Sequence, residues 1–167
     1  MKKIFLLLTL LLPSLNLLAY NEADYQIVKA YKYDVDKKWT PEWAGTYADL
    51  ASANFSRKNL ESINLRKADL SEAILYMTTL KWANLTGANL KEANLRNADL
   101  RNADLVMATL SGADLRNADL RNANLQGAHL DGARFEGAIL KGASCNKDTK
   151  LPAAYKCTND KKIVPAT

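Results

Sequence analysis

His129, Cys145 and Cys157 are the residues best suited to metal, redox or nucleophilic chemistry, because the 167-residue chain holds one histidine and two cysteines. A closed zinc site takes about four nitrogen or sulfur ligands, and one histidine with two cysteines falls short of that set. No serine–histidine–acid or cysteine–histidine set can be assembled around His129, so no nucleophile and base are expected. In an oxidising compartment two such cysteines pair with each other. A Cys145–Cys157 disulfide would close a short loop carrying Leu151, Pro152 and Tyr155, contributing roughly 3 kcal/mol by the chain-entropy model. Gly87, Gly112, Gly127, Gly132, Gly137 and Gly142 recur at multiples of five residues and do not lead a strand into a helix, so they do not read as a phosphate loop. Asn54-Phe55-Ser56 and Asn84-Leu85-Thr86 match glycosylation sequons, but both arise from the repeat described next. No catalytic, cofactor or metal residues are expected, and function is sought on the surface.

The surface is set by a five-residue beat. Every fifth position from Leu50 to Leu140 is leucine, except Phe55 and Phe135, without insertion or deletion. Two positions before each stands mostly alanine and one before mostly Asp or Asn, giving A-(D/N)-L-x-x. On an α-helix of about 3.6 residues per turn, a five-residue step rotates roughly 140° and scatters the leucines. On a straight strand an odd step sends every second leucine outward. Burying all of them requires the chain to bend once per repeat, and a chain that bends the same way each time becomes a coil.

The run LKWANLTGANLKEANLRNADLRNADL, from Leu80 to Leu105, carries a family resemblance. It resembles the pentapeptide-repeat proteins, over roughly Tyr47 to Ser144. The resemblance implies an all-β chain: a right-handed quadrilateral parallel β-helix, four repeats per coil and about five coils. It places leucine mid-face pointing inward and the preceding alanine inside near the corner. Thr149 to Tyr155 is similar to the segment that often closes such coils in the family. The expected organisation is residues 1–19 a signal peptide, 20–46 an N-terminal capping segment with a possible short helix, 47–144 the β-helix, and 145–167 a disulfide-closed C-terminal cap with a basic tail.

The signal peptide follows from Lys2 and Lys3 ahead of an apolar run from Ile4, broken by Pro13, with a cleavage position at Ala19. The run from Ile4 to Ala19 is shorter than the ~20 residues that span a bilayer. Export to the periplasm or medium is therefore expected, with no transmembrane segment in the mature chain. The capping segment carries Tyr20, Tyr25, Tyr31, Tyr33, Trp39 and Trp43, and Asn21 with Asp24 fits the start of a short helix. Net charge is +5 for the whole chain. Ala48 to Ser144 holds 12 basic and 11 acidic residues, so the excess sits in the tail, with Lys147, Lys150, Lys156, Lys161 and Lys162.

If a coil takes twenty residues, positions twenty apart stack in columns. Lys81, Arg101 and Arg121 then share a column with Lys141, and Arg96 stacks with Arg116. Asn97 stacks with Asn117, and Asn102 with Asn122. This basic and amide ladder fits an anionic polymer, a polysaccharide or envelope component among them. Asp99, Asp114 and Asp119 lie two residues from its arginines, so a neutral salt-bridged ladder is the favoured reading. Ile74, Tyr76, Met77, Trp82, Val106 and Met107 put apolar bulk where polar residues are usual. They fit either a partner-binding patch or a surface covered by the aromatic N-terminal segment. Lys58 and Thr78 replace inward alanines, and Ile63 takes a third such position. Because a buried unpaired lysine is costly, the first coil is expected to be irregular and open at Lys58.

An unbroken repeat without loops is a poor carrier of an active site. The expected function is a non-catalytic exported scaffold that binds an unidentified protein or envelope component. Some proteins of the family resemble duplex DNA in shape and charge and act on DNA gyrase. That alternative needs a strongly acidic surface, and near-balanced coils with an export signal disfavour it, so nucleic acid is an unlikely partner.

Overall fold

The computed structural model describes residues 49–166. The signal peptide and the N-terminal capping segment lie outside the described residues, as do Tyr47 and Ala48.

A turn closes every repeat. The carbonyl of each leucine or phenylalanine of the beat accepts the N–H three residues on, mostly from alanine, as in Leu50–Ala53 (3.1 Å) and Leu100–Ala103 (3.1 Å). The second turn residue takes a positive φ: 60° at Arg57, 56° at Met77, 60° at Trp82 and 66° at Gly87. A positive φ at the third of four turn residues is the type II arrangement. Glycine and asparagine reach it readily, whereas other L-residues lose roughly 1–2 kcal/mol there. The Asp or Asn ahead of the leucine supports the same bend. Its Oδ1 accepts the N–H two residues on, as from Asn54 to Ser56 (3.0 Å) and from Asp69 to Ser71 (3.0 Å). This is the bend per repeat that the leucine spacing requires.

The coils pair in parallel at a spacing of twenty residues. Asp49 pairs with Asp69, Asn64 with Asn84, Asn84 with Asp104 and Asn124 with Ser144. The Asp or Asn is the paired residue, and the alanine before it and the leucine after it both turn inward. Between coils, Leu80 N–H donates to Asp99 C=O (2.7 Å), Trp82 N–H to Arg101 C=O (3.0 Å), and Asn84 N–H to Ile63 C=O (2.8 Å). Four repeats thus make one coil, in columns that we name after Leu50, Phe55, Leu60 and Leu65. The architecture is an all-β helix of stacked coils.

The core is the inward row of alanine and leucine, buried without a break from Ala83 to Leu130. Ile63 joins it, and Lys58 is half-buried at the first coil. Thr78 is fully buried, and its hydroxyl donates to Phe55 C=O at 2.7 Å. That bond removes the penalty that a buried hydroxyl would otherwise carry.

The twenty-residue spacing slips once, at the C-terminal end, where His129 pairs with Lys150. Asn146 and Thr149 hold the extra residue: Thr149 Oγ1 accepts Asn146 N–H (2.9 Å) and donates to Leu125 C=O (3.1 Å). Beyond it, strands β1 (Tyr155–Cys157) and β2 (Ile163–Pro165) form an antiparallel hairpin. Cys145 occupies a leucine position, fully buried, and is disulfide-bonded to Cys157. Ile163 is buried, and the Tyr155 ring meets the Phe135 ring edge-on at 5.3 Å between centroids.

Candidate interaction surface

Outward positions carry whatever the coils present. In the Leu60 column, the Arg101 guanidinium grips Asp99 through Nε (2.8 Å) and Nη2 (2.6 Å). It also faces Asp119 of the next coil at 3.8 Å. Arg121 binds Asp119 in the same forked way, with Nε at 2.9 Å from Oδ1, and Lys81 meets Glu61 at 3.4 Å. In the Phe55 column Arg116 grips Asp114, with Nε at 2.8 Å. The ladder of Lys81, Arg101, Arg116 and Arg121 is therefore ion-paired throughout. Arg96 has no such partner on its own repeat, because Asn94 stands where the others have Asp, and Lys141 is exposed at the top of its column.

The asparagines of that ladder have a backbone reason for their type. Asn97, Asn102, Asn117 and Asn122 sit at φ of 56°, 57°, 56° and 59° in the turn. Asparagine tolerates this conformation better than most residues. The sequence clue was their fixed position two after each leucine, which glycine shares.

The arginine partners hold the Asp99, Asp114 and Asp119 carboxyls below the ordinary carboxylate range, chiefly through the side-chain hydrogen bonds from Arg101, Arg116 and Arg121. Asp69 is lowered as well, first by the Ser71 backbone N–H. A carboxyl lowered on folding adds stability that is complete above its unfolded value, about 3.9, and is lost as pH falls through the lower folded value. Thermal unfolding should therefore hold a constant midpoint from neutral pH to about pH 5 and fall below about pH 4. The triple variant Asp99→Asn, Asp114→Asn, Asp119→Asn should show a shallower acid decline. An identical decline in both proteins would mean that these pairs do not report on folding.

The apolar exceptions occupy turns, apart from Ile74, which takes a paired Asp/Asn position between Asn54 and Asn94. Met77, Trp82 and Met107 are 46%, 55% and 71% exposed, Ile74 is 39% exposed, and Tyr76 and Val106 are half-buried. Ile74, Tyr76 and Met77 follow one another in the Phe55 column. Trp82 stands at the next turn of the same coil, and Val106–Met107 at the turn after that, one coil on. Tyr76, Met77, Trp82, Val106 and Met107 thus step around three successive turns, with Ile74 on the rung just ahead of the first. Trp82 is flanked along its column by Ser62 and Asn102, and Met107 by Gly87 and Gly127, with the Met107 side chain leaning over Gly127; these small or polar neighbours leave both side chains exposed.

His129 lies half-buried between Thr109 and Lys150 in its column. Among the described residues no group of three or more His, Cys, Asp or Glu is placed to hold a metal. Among the described residues there is no helix long and apolar enough to cross a membrane.

The profile of the family described as Pentapeptide repeats matches residues 46–81, 78–117 and 118–147, in 8 copies. The chain belongs to the pentapeptide-repeat family. Among solved structures, this pentapeptide-repeat chain is similar to Rfr23 from the cyanobacterium Cyanothece 51142, at 33% identity and a TM-score of 0.51. The match covers 73% of this chain and 78% of that one. It is 37% identical to alr5209, a pentapeptide repeat protein from Nostoc PCC 7120, over 65% of this chain and 77% of that one, with a TM-score of 0.41. QnrB1, a plasmid-mediated fluoroquinolone resistance protein, is 20% identical over 59% of this chain and 60% of that one, with a TM-score of 0.30. A likeness at that level says nothing of function. A search of curated proteins gave no match.

Proposed function

We propose that this pentapeptide-repeat protein is a non-catalytic, exported scaffold that binds a partner protein or envelope component at the turns carrying Met77, Trp82 and Met107. The observation that carries the reading is large apolar side chains standing exposed at neighbouring turns on a mainly polar, ion-paired surface. Aromatic and methionine side chains are enriched at the centres of protein interfaces. Export rests on the Lys2–Ala19 segment, and an exported chain is consistent with the Cys145–Cys157 bond. Absence of catalysis is supported by coils that run from Leu50 to Leu140 with no inserted loop. The coils are taken to form the right-handed, four-sided helix of about five turns that the family resemblance implies, with residues 145–167 as its cap.

The paired arginines favour this reading over a polyanion-binding one, because Arg101, Arg116 and Arg121 already hold carboxylates. They also weigh against a DNA-like surface, which would need unpaired acids in excess.

The double variant Met77→Asp, Trp82→Asp tests the site. Cross-linking of the tagged full chain in its native envelope should give a discrete adduct that the variant loses, with an unchanged thermal midpoint. An adduct that persists in the variant removes these turns from the interface. Fractionation should find the protein outside the cytoplasm and shortened by about 19 residues, as a cleaved signal requires. An intact N-terminus on a cytoplasmic protein would overturn the export part.

A further inference from the structure

Each rung of this helix is a template for the next. The N–H of the leucine and of the second turn residue donate to the following coil, and the carbonyl of the inward alanine accepts from it. Leu80 to Asp99 (2.7 Å), Trp82 to Arg101 (3.0 Å) and Asp104 N–H to Ala83 C=O (2.9 Å) show the pattern. At the C-terminal end two columns receive a next rung and two do not. Leu125 N–H donates to Ser144 C=O (2.8 Å), Leu130 N–H to Lys150 C=O (2.7 Å), and Cys145 N–H to Lys161 C=O (3.0 Å). The Phe55 column ends at Phe135 and the Leu60 column at Leu140. Among the described residues, the N–H groups of Phe135, Gly137, Leu140 and Gly142 and the carbonyls of Ala133 and Ala138 have no hydrogen-bond partner.

A second observation concerns what overhangs that edge. Lower in the stack, side chains at the second turn position lean over the following coil. A β-carbon added to Gly87 would come within 3.3 Å of Lys67 Cγ, one on Gly112 within 3.2 Å of Glu92 Cγ, and one on Gly127 within 3.3 Å of Met107 Cγ. A β-carbon on Gly137 would overlap Asn117 Oδ1, and one on Gly142 would overlap Asn122 Oδ1, so the asparagine amides below already fill that space. The second position of both edge turns is thus glycine, and no side chain at that position extends over the edge. Arg134, Glu136, Ile139 and Lys141 are exposed, and Ala138 and Leu140 are half-buried beneath it.

We propose that the rung from Ala133 to Gly142 is a docking edge for an extended segment of a partner polypeptide, which adds as one more parallel rung. The same backbone geometry that joins coil to coil would hold it, by strand addition to an open edge. The partner would offer backbone carbonyls at five-residue spacing, with a small and then an apolar residue turned inward over Ala138 and Leu140. Tyr155, seated on Phe135, leaves less room in the first of the two columns.

The test uses the full chain and, as probe, a synthetic peptide with the sequence of residues 113–122 (ADLRNADLRN), the rung directly below. In the chain alone, the amides of Phe135, Gly137, Leu140 and Gly142 should exchange at least ~100-fold faster than those of Leu115, Asn117, Leu120 and Asn122. Peptide at millimolar concentration should slow the four edge amides and leave the other columns unchanged. The variant Gly137→Asn, Gly142→Asn puts side chains over the edge in a conformation that Asn117 and Asn122 already hold. The Asn117 and Asn122 amides must turn aside to admit these side chains, so the thermal midpoint should fall slightly and the peptide effect should be lost. The amides of Leu115 and Leu120 should stay protected, as the check on folding. Edge amides already protected in the chain alone overturn the proposal, and protection that grows with protein concentration would identify a second copy as the occupant instead. Edge amides indifferent to the peptide also overturn it. Because the readout is confined to residues 133–142, its failure is distinct from failure at Met77 and Trp82.

Discussion

Leu100→Ala is expected to destabilise the protein by about 3–5 kcal/mol, the upper range for emptying a fully buried leucine site. Leu100 is fully buried, with Leu80 below it and Leu120 above it, both equally buried. A cavity there cannot collapse easily, because its walls are backbone rungs fixed by bonds such as Leu100 N–H to Asp119 C=O (2.8 Å). Leu140 provides the internal comparison. It holds the same place in the repeat but is half-buried at the open end. Leu140→Ala should therefore cost only about 1 kcal/mol, as partial burial predicts. Denaturant unfolding of both variants, with shared slope, measures the difference. Equal losses at the two sites would show that the stack does not behave as a chain of coils each buried by its neighbours.

Removing the disulfide carries the next largest effect. The bond joins Cys145 to Cys157, 12 residues apart, with Cα atoms 6.0 Å apart. Cys157→Ser should lower stability by roughly 3 kcal/mol, the chain-entropy value for a loop of this size. Cys145 would then be a lone thiol in a buried leucine position, which cysteine tolerates as a small apolar residue. The hairpin would keep the bond between Cys145 N–H and Lys161 C=O (3.0 Å), but Tyr155 would be held on Phe135 by packing alone. A dithiol reductant should lower the thermal midpoint of the natural chain and leave that of Cys157→Ser unchanged. A reductant effect of similar size on both proteins would place the loss elsewhere.

The leucine spacing made the architecture legible because it admits no ordinary helix or strand, and the structure follows it from Leu50 to Phe135. The pairing of Arg101 with Asp99 was also legible, since two residues on one repeat and a twenty-residue column determine who meets whom. Other features required the backbone. Asn102 and Asn122 read as surface amides in sequence, yet their place in the turn is a matter of φ. Thr78 read only as a departure, because its acceptor, the Phe55 carbonyl, lies 23 residues away. The slip that pairs His129 with Lys150 depends on Asn146 and Thr149 bonding to each other and to the coil below, which no periodicity announces. The columns read Ile74, Tyr76, Met77 and Trp82 as close together on one coil with Val106 and Met107 one coil on; how exposed Met77, Trp82 and Met107 stand required the backbone.

The turn conformation has a consequence for how such a protein can change. Arg57, Lys67, Met77, Trp82 and Met107 all adopt the left-handed geometry that their types avoid in isolation. Inside bonds and inward side chains impose that geometry, so the identity of the turn residue is nearly decoupled from the shape it sits on. The protein behaves as a grid of interchangeable display points on a fixed lattice. New specificity can be acquired one point at a time, each at roughly 1–2 kcal/mol of conformational preference, without rewriting the frame.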